Sequence, residues 1–160
     1  MDEARELKVA SRTGTLLGSM SKVMGETQYA DDLSLPRMLY CRILRSTHPH
    51  AKISAIDTSR ALKRKGVLAV ITGKDLPIPY GILPVSQDEE ALCVEKVRMV
   101  GDPVAAVAAL DEETAEAALE DIRVEYEPLP TVMSVQEGLA ETDAQIHEYA
   151  DQGNIHKFVS

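Results

Sequence analysis

The sequence is poor in aromatic residues and in cysteine. Its 160 residues include no tryptophan, one phenylalanine and two cysteines. Two thiols are too few for a disulfide framework, and neither belongs to a C-x-x-C pair, so a zinc or iron–sulfur site has almost no support. No apolar run approaches the ~18 residues that a membrane span needs, and the acidic N-terminus does not resemble a signal peptide. We therefore expect a cytoplasmic chain with Cys41 and Cys93 reduced in an apolar core.

Common nucleotide-binding and hydrolase motifs are also absent. The sequence has no G-x-x-x-x-G-K-[ST] loop, no G-x-G-x-x-G after a strand and no G-x-S-x-G elbow. The net charge is −9, and residues 67–160 hold 19 acidic but only 5 basic residues, which argues against nucleic acid as a partner. A small basic cluster contains no aromatic residue for base stacking. We interpret it as a solvated helix face, with phosphate binding as the weaker alternative: Arg60, Lys63, Arg64 and Lys65.

The composition is that of a globular domain. Apolar residues make up 44% and charged residues 27%, which excludes collagen-like, mucin-like and disordered classes. Apolar alternation and β-branched runs predict strands over residues 39–45, 52–56, 67–72, 104–109 and 123–127. Caps and helical spacing predict helices over 58–65 and 112–121 and a short helix after Ser134. The order predicts an α+β or α/β domain with a mixed sheet and two to three helices.

Several groups of polar residues are candidates for chemistry, and each has a structural alternative. His48-x-His50 is a possible metal pair, but no third ligand stands nearby, so surface histidines are favoured. Gly101-Asp102-Pro103 lies before a strand and is interpreted as a turn with a capping Asp. The acidic pairs 31–32, 89–90 and 112–113 suit solvation and capping better than acid–base catalysis. His147 and His156 are expected at the surface, and the loop 77–88 is the expected carrier of specificity.

One long stretch resembles a known family. Residues 21–137 are similar to the opening of the large subunit of molybdenum hydroxylases, the xanthine dehydrogenase/aldehyde oxidase family. Within it, PIPYGILPVSQDEEAL is most similar to the 4-hydroxybenzoyl-CoA reductase branch, in its alpha subunit. The matching residues are Gly25, Tyr29, Asp32, Leu35, Pro36, Met38, Leu39, Arg45, Ser46, His48, His50, Ala51, Ile53, Asp57, Ser59, Ala61, Gly66, Val67, Thr72, Gly73, Asp75, Val100, Gly101, Tyr126, Glu127, Leu129 and Pro130.

The resemblance implies an α/β hammerhead fold and a packing role. The family's molybdopterin loops and its catalytic glutamate come later in the large subunit, so we expect no catalytic, cofactor-binding or metal-binding residue in this chain. It implies molybdopterin in the parent subunit, with iron–sulfur clusters and FAD in partner subunits. The expected partners are the downstream molybdopterin-binding domains and those partner subunits, with no nucleic acid and no membrane.

The resemblance also sets the expected domains and the alternatives. We expect a flexible or draped segment over 1–20, the hammerhead over 21–140 and a linker toward molybdopterin-binding domains over 141–160. By itself the chain is not expected to be active. The alternatives are another hydroxylase subunit of the family, a stand-alone interaction module with this fold and, most weakly, a small hydrolase that uses the acidic pairs.

Overall fold

The computed structural model describes residues 18–81, 88–140, 144–148 and 154–155. The chain divides into two compact units, Met1–Pro36 and Arg37–Ser160. The described part of the first unit contains helix α1, Ser19–Val23, and a 3-10 turn at Ala30–Asp32. Asp32 caps that turn by accepting a hydrogen bond from the Tyr29 N–H at 2.9 Å. The predicted boundaries near residues 20 and 140 stay predictions.

The second unit contains two three-stranded sheets. Strands β1, β5 and β3 form the first sheet in that order, and β4, β2 and β6 form the second. Every pairing among these strands is antiparallel. The strands are β1 Tyr40–Arg45, β2 Ala51–Asp57, β3 Val67–Thr72, β4 Lys96–Val97, β5 Pro103–Ala109 and β6 Arg123–Pro128, and consecutive ones lie in different sheets.

The α+β class is confirmed, but the predicted single mixed sheet is replaced by two antiparallel sheets. The physical reason is that β5 pairs antiparallel on both of its edges, with β1 and β3. Antiparallel neighbours need no helical crossover between them. The sequence does not predict strand β4, because a strand of two residues is too short to show the alternation of apolar and polar residues that marks a strand.

Three helices belong to the described part of the second unit: α2 Ser59–Lys63, α3 Glu112–Leu119 and α4 Val135–Leu139. The predicted caps of the last two are present. Asp111 accepts from the Thr114 N–H at 2.7 Å, which lowers the pKa of that carboxyl. Ser134 accepts from the Glu137 N–H at 3.2 Å. Each cap ends a strand or loop with a residue that satisfies a backbone donor the helix leaves open. Among the described residues, no helix is long and apolar enough to cross a membrane.

The core lies between the first sheet and the helices. Its buried members are Ala61, Ala105, Val107, Ala118 and Ile122. A second cluster contains Ala51, Cys93, Val97 and Val104, and the side chains of Ile56 and Val124 pack against both clusters. The two sheets therefore share one apolar interior.

The two cysteines lie in different surroundings. Both are free thiols, and Cys93 is buried as expected. The expectation that Cys41 lies in the core is wrong, because Cys41 is exposed. Its pairing with Ala108 turns it to the face of the first sheet opposite the helices, whereas Leu44 on the other face packs against the core. Alternation along a strand separates its two faces but does not indicate which one is covered.

Candidate functional site

Residues from two distant motifs meet where β1 ends and β5 begins. The Ser46 N–H donates to the Asp102 carbonyl, and the Gly101 N–H donates to the Ser46 carbonyl, both at 2.8 Å. The Arg45 guanidinium donates to the Gly101 carbonyl at 2.8 Å. Gly101 has φ +98°, a left-handed conformation that favours glycine. The segments around residues 46 and 101 thus form one rigid corner.

Asp102 caps this corner with its side chain. The carboxylate accepts from the N–H groups of Arg98 at 2.6 Å and Met99 at 3.0 Å. The structural interpretation of Gly101-Asp102-Pro103, a turn with a capping Asp, is confirmed by these contacts. Since the carboxylate holds two backbone donors, its role is to fix the turn.

His48 and His50 point to different partners. The His48 ring stacks on Tyr126, with ring centroids 4.5 Å apart. His50 is buried, and its Nδ1 lies 2.6 Å from the Pro130 carbonyl, which only accepts, so Nδ1 carries the proton. The His50 carbonyl also accepts from the Leu129 N–H at 3.0 Å. The expectation of two surface histidines is wrong for His50, because its ring is buried against the segment after β6. His48 contacts Tyr126 within β6, so the two residues join the segment before β2 to β6 and to the residues that follow it.

One atom of this cluster has no partner. His50 Nε2 is buried and makes no hydrogen bond with the described residues. Across the described part of the chain, no three His, Cys, Asp or Glu side chains come close enough to hold a metal ion.

Cys93 lies beside the same corner and is held as a neutral thiol. Burial, with smaller contributions from the negative charges of Asp102 and Glu90, raises the pKa of Cys93 to about 11. A thiol with so high a pKa is a poor nucleophile at neutral pH. Its N–H donates to the Pro103 carbonyl at 2.7 Å, which fixes the backbone of residues 92–94 beside β5.

An open cleft of about 460 Å³ adjoins the corner, and Cys93, Asp102 and Pro103 are among its lining residues. Its charged lining is mostly acidic, with Asp88, Glu89, Glu90 and Asp102 facing Arg98 and His147. The side chains of the lining bond to one another and to the backbone. His147 Nδ1 lies 2.8 Å from the Asp88 carboxylate, and Glu90 accepts from the Val94 N–H at 2.8 Å. Most charged side chains of the cleft are therefore engaged by hydrogen bonds or ion pairs within the chain.

The segment 144–148 contributes Ile146 and His147 to the cleft lining and is held by cations from the β4 region. Lys96, which is 8% exposed, bonds to the Glu148 carboxylate and to the Gln145 carbonyl, the latter at 3.1 Å. Arg98 donates to the Ile146 carbonyl at 3.0 Å and to Glu148 at 3.1 Å. Partial burial opposes ionisation of Glu148, but the hydrogen bonds from both cations outweigh it and lower the pKa of Glu148 to about 2. Local sequence patterns carry no signal for this network, since its partners are about 50 positions apart.

The basic cluster of α2 is partly neutralised. Arg64 lies 2.7 Å and Arg60 3.3 Å from the carboxylate of Asp121. The hydrogen bond from Arg64 lowers the pKa of Asp121. Two of the four basic residues thus join α2 to the end of α3, which favours the structural interpretation. Residues 82–87 of the loop expected to carry specificity, and His156, lie outside the described residues.

Comparison with known proteins decides the family. The family model described as "Aldehyde oxidase and xanthine dehydrogenase, a/b hammerhead domain" matches residues 24–130. This chain belongs to that family as its hammerhead domain. A related protein, a probable xanthine dehydrogenase subunit from Bacillus subtilis (strain 168), is 48% identical over 136 residues, which are 84% of this chain and 18% of that protein. The nicotinate dehydrogenase large molybdopterin subunit of Eubacterium barkeri is 35% identical, over 96% of this chain and 35% of that protein.

Solved structures agree on the hammerhead fold. Quinoline 2-oxidoreductase from Pseudomonas putida 86 matches with a TM-score of 0.76 and 33% identity, over 83% of this chain and 18% of that chain. Aldehyde oxidoreductase from Desulfovibrio gigas matches with a TM-score of 0.72 and 36% identity, over 82% of this chain and 16% of that chain. The hammerhead domain therefore spans between about a sixth and about a third of the relatives named here.

The cleft beside the corner does not fit a molybdopterin. The phosphate of that cofactor is an anion and needs N–H donors or cations around it. The cleft presents four carboxylates against one arginine and one histidine, and that arginine already bonds to Glu148 and the Ile146 carbonyl. The N–H groups of Val94, Arg98 and Met99 are taken by Glu90 and Asp102.

Proposed function

We propose that this chain is a non-catalytic packing domain in the large subunit of a molybdopterin-dependent oxidoreductase. The observation that carries the proposal is the hammerhead match over residues 24–130 in a chain that spans 18% of the xanthine dehydrogenase subunit it resembles. The polar residues of the described corner and cleft support it, because they bond to the chain's own backbone and side chains. Cys93, a neutral buried thiol, supports it as well.

The names of two relatives support molybdopterin and a multi-subunit assembly, while iron–sulfur clusters and FAD are proposed from the family resemblance alone. One relative is named a large molybdopterin subunit, and another is named the gamma subunit of a 6-hydroxypseudooxynicotine dehydrogenase complex. The proposed parent subunit holds molybdopterin in its remaining part, and separate subunits carry iron–sulfur clusters and FAD. The proposed location is the cytoplasm.

For the reaction, we propose the 4-hydroxybenzoyl-CoA reductase branch, in which a ring hydroxyl is removed reductively from an aryl-CoA. The support is the similarity of PIPYGILPVSQDEEAL, part of which lies outside the described residues. The second candidate is a hydroxylase, favoured by the 48% identity to a probable xanthine dehydrogenase subunit. The two candidates differ in electron flow: a reductase takes electrons from a donor, whereas a hydroxylase passes electrons to an acceptor.

Elemental analysis of the native assembly that contains this chain tests the proposal. We expect molybdenum in a near one-to-one ratio to the chain in the assembly, and none in the purified 160-residue chain. An assembly without molybdenum would leave the stand-alone interaction module as the better function. Assays with an aryl-CoA plus a reductant, and with a heterocycle or aldehyde plus an electron acceptor, then separate the reductase from the hydroxylase. The weakest alternative, a hydrolase, requires a hydrolytic activity that is lost in Glu89→Gln or Glu112→Gln.

A further inference from the structure

The first sheet has an apolar face on the side opposite helices α2 and α3. The pairing of β1 and β3 with β5 places one residue from each strand side by side, in two rows. We call this surface the open sheet face. Its rows are Cys41, Ala108 and Ala69, and Ile43, Ala106 and Ile71.

The six residues of the open sheet face include no polar side chain apart from the thiol of Cys41. Ile43 is 40% exposed and Ile71 37% exposed, and Cys41 and Ala69 are exposed as well. An antiparallel sheet with one face in water normally alternates apolar and polar residues along each strand. Strands β3 and β5, VLAVIT and PVAAVAA, are instead almost entirely apolar, a pattern typical of strands covered on both faces.

The shape of the open sheet face suits one α-helix. Three strands about 4.8 Å apart span about 10 Å, which is close to the 10–12 Å diameter of a helix with its side chains. The central strand carries only the small residues Ala106 and Ala108, whereas the edge strands carry Ile43 and Ile71. Along the row of Ile43, Ala106 and Ile71 the face is therefore a shallow trough, with Ala106 buried at its floor. The other row is lower at the β3 edge, because Ala69 is as small as Ala108.

Its area argues for an occupant in the same polypeptide. Two rows and their margins cover about 10 Å by 17 Å, roughly 170 Å², whereas a stable dimer buries about 800 Å² on each partner. Two copies of this chain would gain too little from this face alone. A segment joined covalently needs less contact area, because the connection gives it a high effective concentration. The related subunits have most of their length outside the matched part.

We infer that an apolar helix from the molybdopterin-binding part of the large subunit packs on the open sheet face. The inference rests on the proposed function for the identity of the occupant. It adds the surface that this domain uses and the kind of element that binds there.

The rate at which the Cys41 thiol reacts with a labelling reagent shows whether the open sheet face is covered. Cys93, which is buried, serves as the internal control. A thiol reagent such as DTNB should label Cys41 rapidly in the 160-residue chain and Cys93 slowly, because Cys93 is 6% exposed and has a raised pKa. Cys41→Ser should remove the fast phase and so assign it. In the native assembly we expect Cys41 to react at least about tenfold more slowly than in the separate chain.

The outcomes distinguish this inference from the function on which it rests. Equal reactivity of Cys41 in the chain and in a molybdenum-containing assembly would overturn the docking inference alone. Protection in the separate chain that grows with its concentration would place a second copy on the face. Protection in the separate monomer would place a segment of this chain there, and either result overturns the inference. Protection in an assembly without molybdenum would overturn the proposed function, and the identity of the occupant with it.

A pair of matched variants tests the face without relying on chemical labelling. Ala69→Glu puts a carboxylate on the open sheet face, and Ala55→Glu puts one at an exposed position of β2 in the other sheet. Both should leave the melting temperature of the separate chain within a few degrees. In the large subunit, Ala69→Glu should lower the yield of folded, molybdenum-containing protein at least about fivefold, whereas Ala55→Glu should not. Equal yields from both variants would contradict the inference.

Discussion

Gly73 packs tightly against residues 92–94, and Gly73→Ala tests how much that contact stabilises the domain. Gly73 is buried at the end of β3, in a 3-10 turn over Gly73–Asp75. A Cβ added there would lie 2.4 Å from the Leu92 carbonyl oxygen and 2.7 Å from Val94 Cγ2. Ordinary contacts of this kind begin near 3.4 Å, so the neighbouring backbone must move by about 1 Å. Backbone atoms cannot escape by a change of rotamer.

The expected loss in the free energy of unfolding follows from the contacts that this movement breaks. Overpacking of a core costs about 1–3 kcal/mol. The displaced segment contains Cys93, whose N–H bonds to the Pro103 carbonyl at 2.7 Å, and loss of that bond adds about 1 kcal/mol. We expect Gly73→Ala to lower the free energy of unfolding by about 3 kcal/mol. For a chain of this length that is a fall in melting temperature of about 6–12 °C.

The assay is thermal unfolding by circular dichroism, with Gly138→Ala as the control. A Cβ at Gly138 meets Val132 Cγ1 at 3.4 Å, an ordinary contact. Because Gly138 lies in helix α4, alanine should raise stability slightly, by at most about 1 kcal/mol. A Gly73→Ala variant that melts within about 2 °C of the parent would refute the reasoning, since the turn after β3 would then not be packed against residues 92–94.

Three further predictions concern carboxylates that hold the backbone or cations. Asp102→Ala leaves the N–H groups of Arg98 and Met99 without their acceptor and should lower stability by about 2 kcal/mol in urea unfolding. Asp111→Ala removes the cap of α3 and should lower the urea midpoint of unfolding in the same assay. Glu148→Gln should cost only about 1 kcal/mol at pH 7, because its side chain is 63% exposed and solvent screens the ion pairs. Since folding lowers the pKa of Glu148 from 4.5 to about 2, that difference should be present above pH 4.5 and fade as the pH falls toward 2.

Each of these variants has a control. Asp111→Asn keeps an acceptor oxygen and should be close to the parent in stability, so an equal loss in the Ala and Asn variants would argue against capping. Asp102→Asn likewise keeps one oxygen and should lose less than the Ala variant. Glu116→Gln, at an exposed position of α3, controls for the change in net charge. If it reproduces the pH dependence of Glu148→Gln, the ion pairs with Lys96 and Arg98 are not the cause.

Local signals predict the elements that depend on neighbouring residues. The apolar run VLAVIT and the cap at Asp111 indicate β3 and α3, and both form within one or two residues of the predicted bounds. The Ser134 cap is present, although Glu137 bonds back to the N–H of Met133 and not to that of Ser134. Such patterns report helix ends and strand faces because those depend on neighbours along the chain.

The partition into sheets and the site could not be predicted from local patterns. The His50 ring bonds to a carbonyl 80 residues away, and Lys96 reaches Glu148 across 52 residues. Alternation with polar neighbours favours a core position for Cys41, but the covered face is the one that carries Arg42 and Leu44. Arg42 pairs there with Glu112 at the start of α3. Which face is covered depends on the helix that packs on it, and strand alternation carries no information about that.

The alternation of consecutive strands between the two sheets has a consequence for folding. Among the described strands, none is joined to its hydrogen-bonded neighbour by a hairpin, so each strand pairing requires closure of a long loop. Such topologies fold slowly, because the entropy of closure is lost before the contacts form. During synthesis on a ribosome, β1 and β3 would stay unpaired until β5 emerged, and β2 would have only the two-residue β4 as a partner until β6 emerged. The chain up to residue 128 is therefore expected to fold as one late, cooperative unit, and a version that ends before β5 is expected to aggregate.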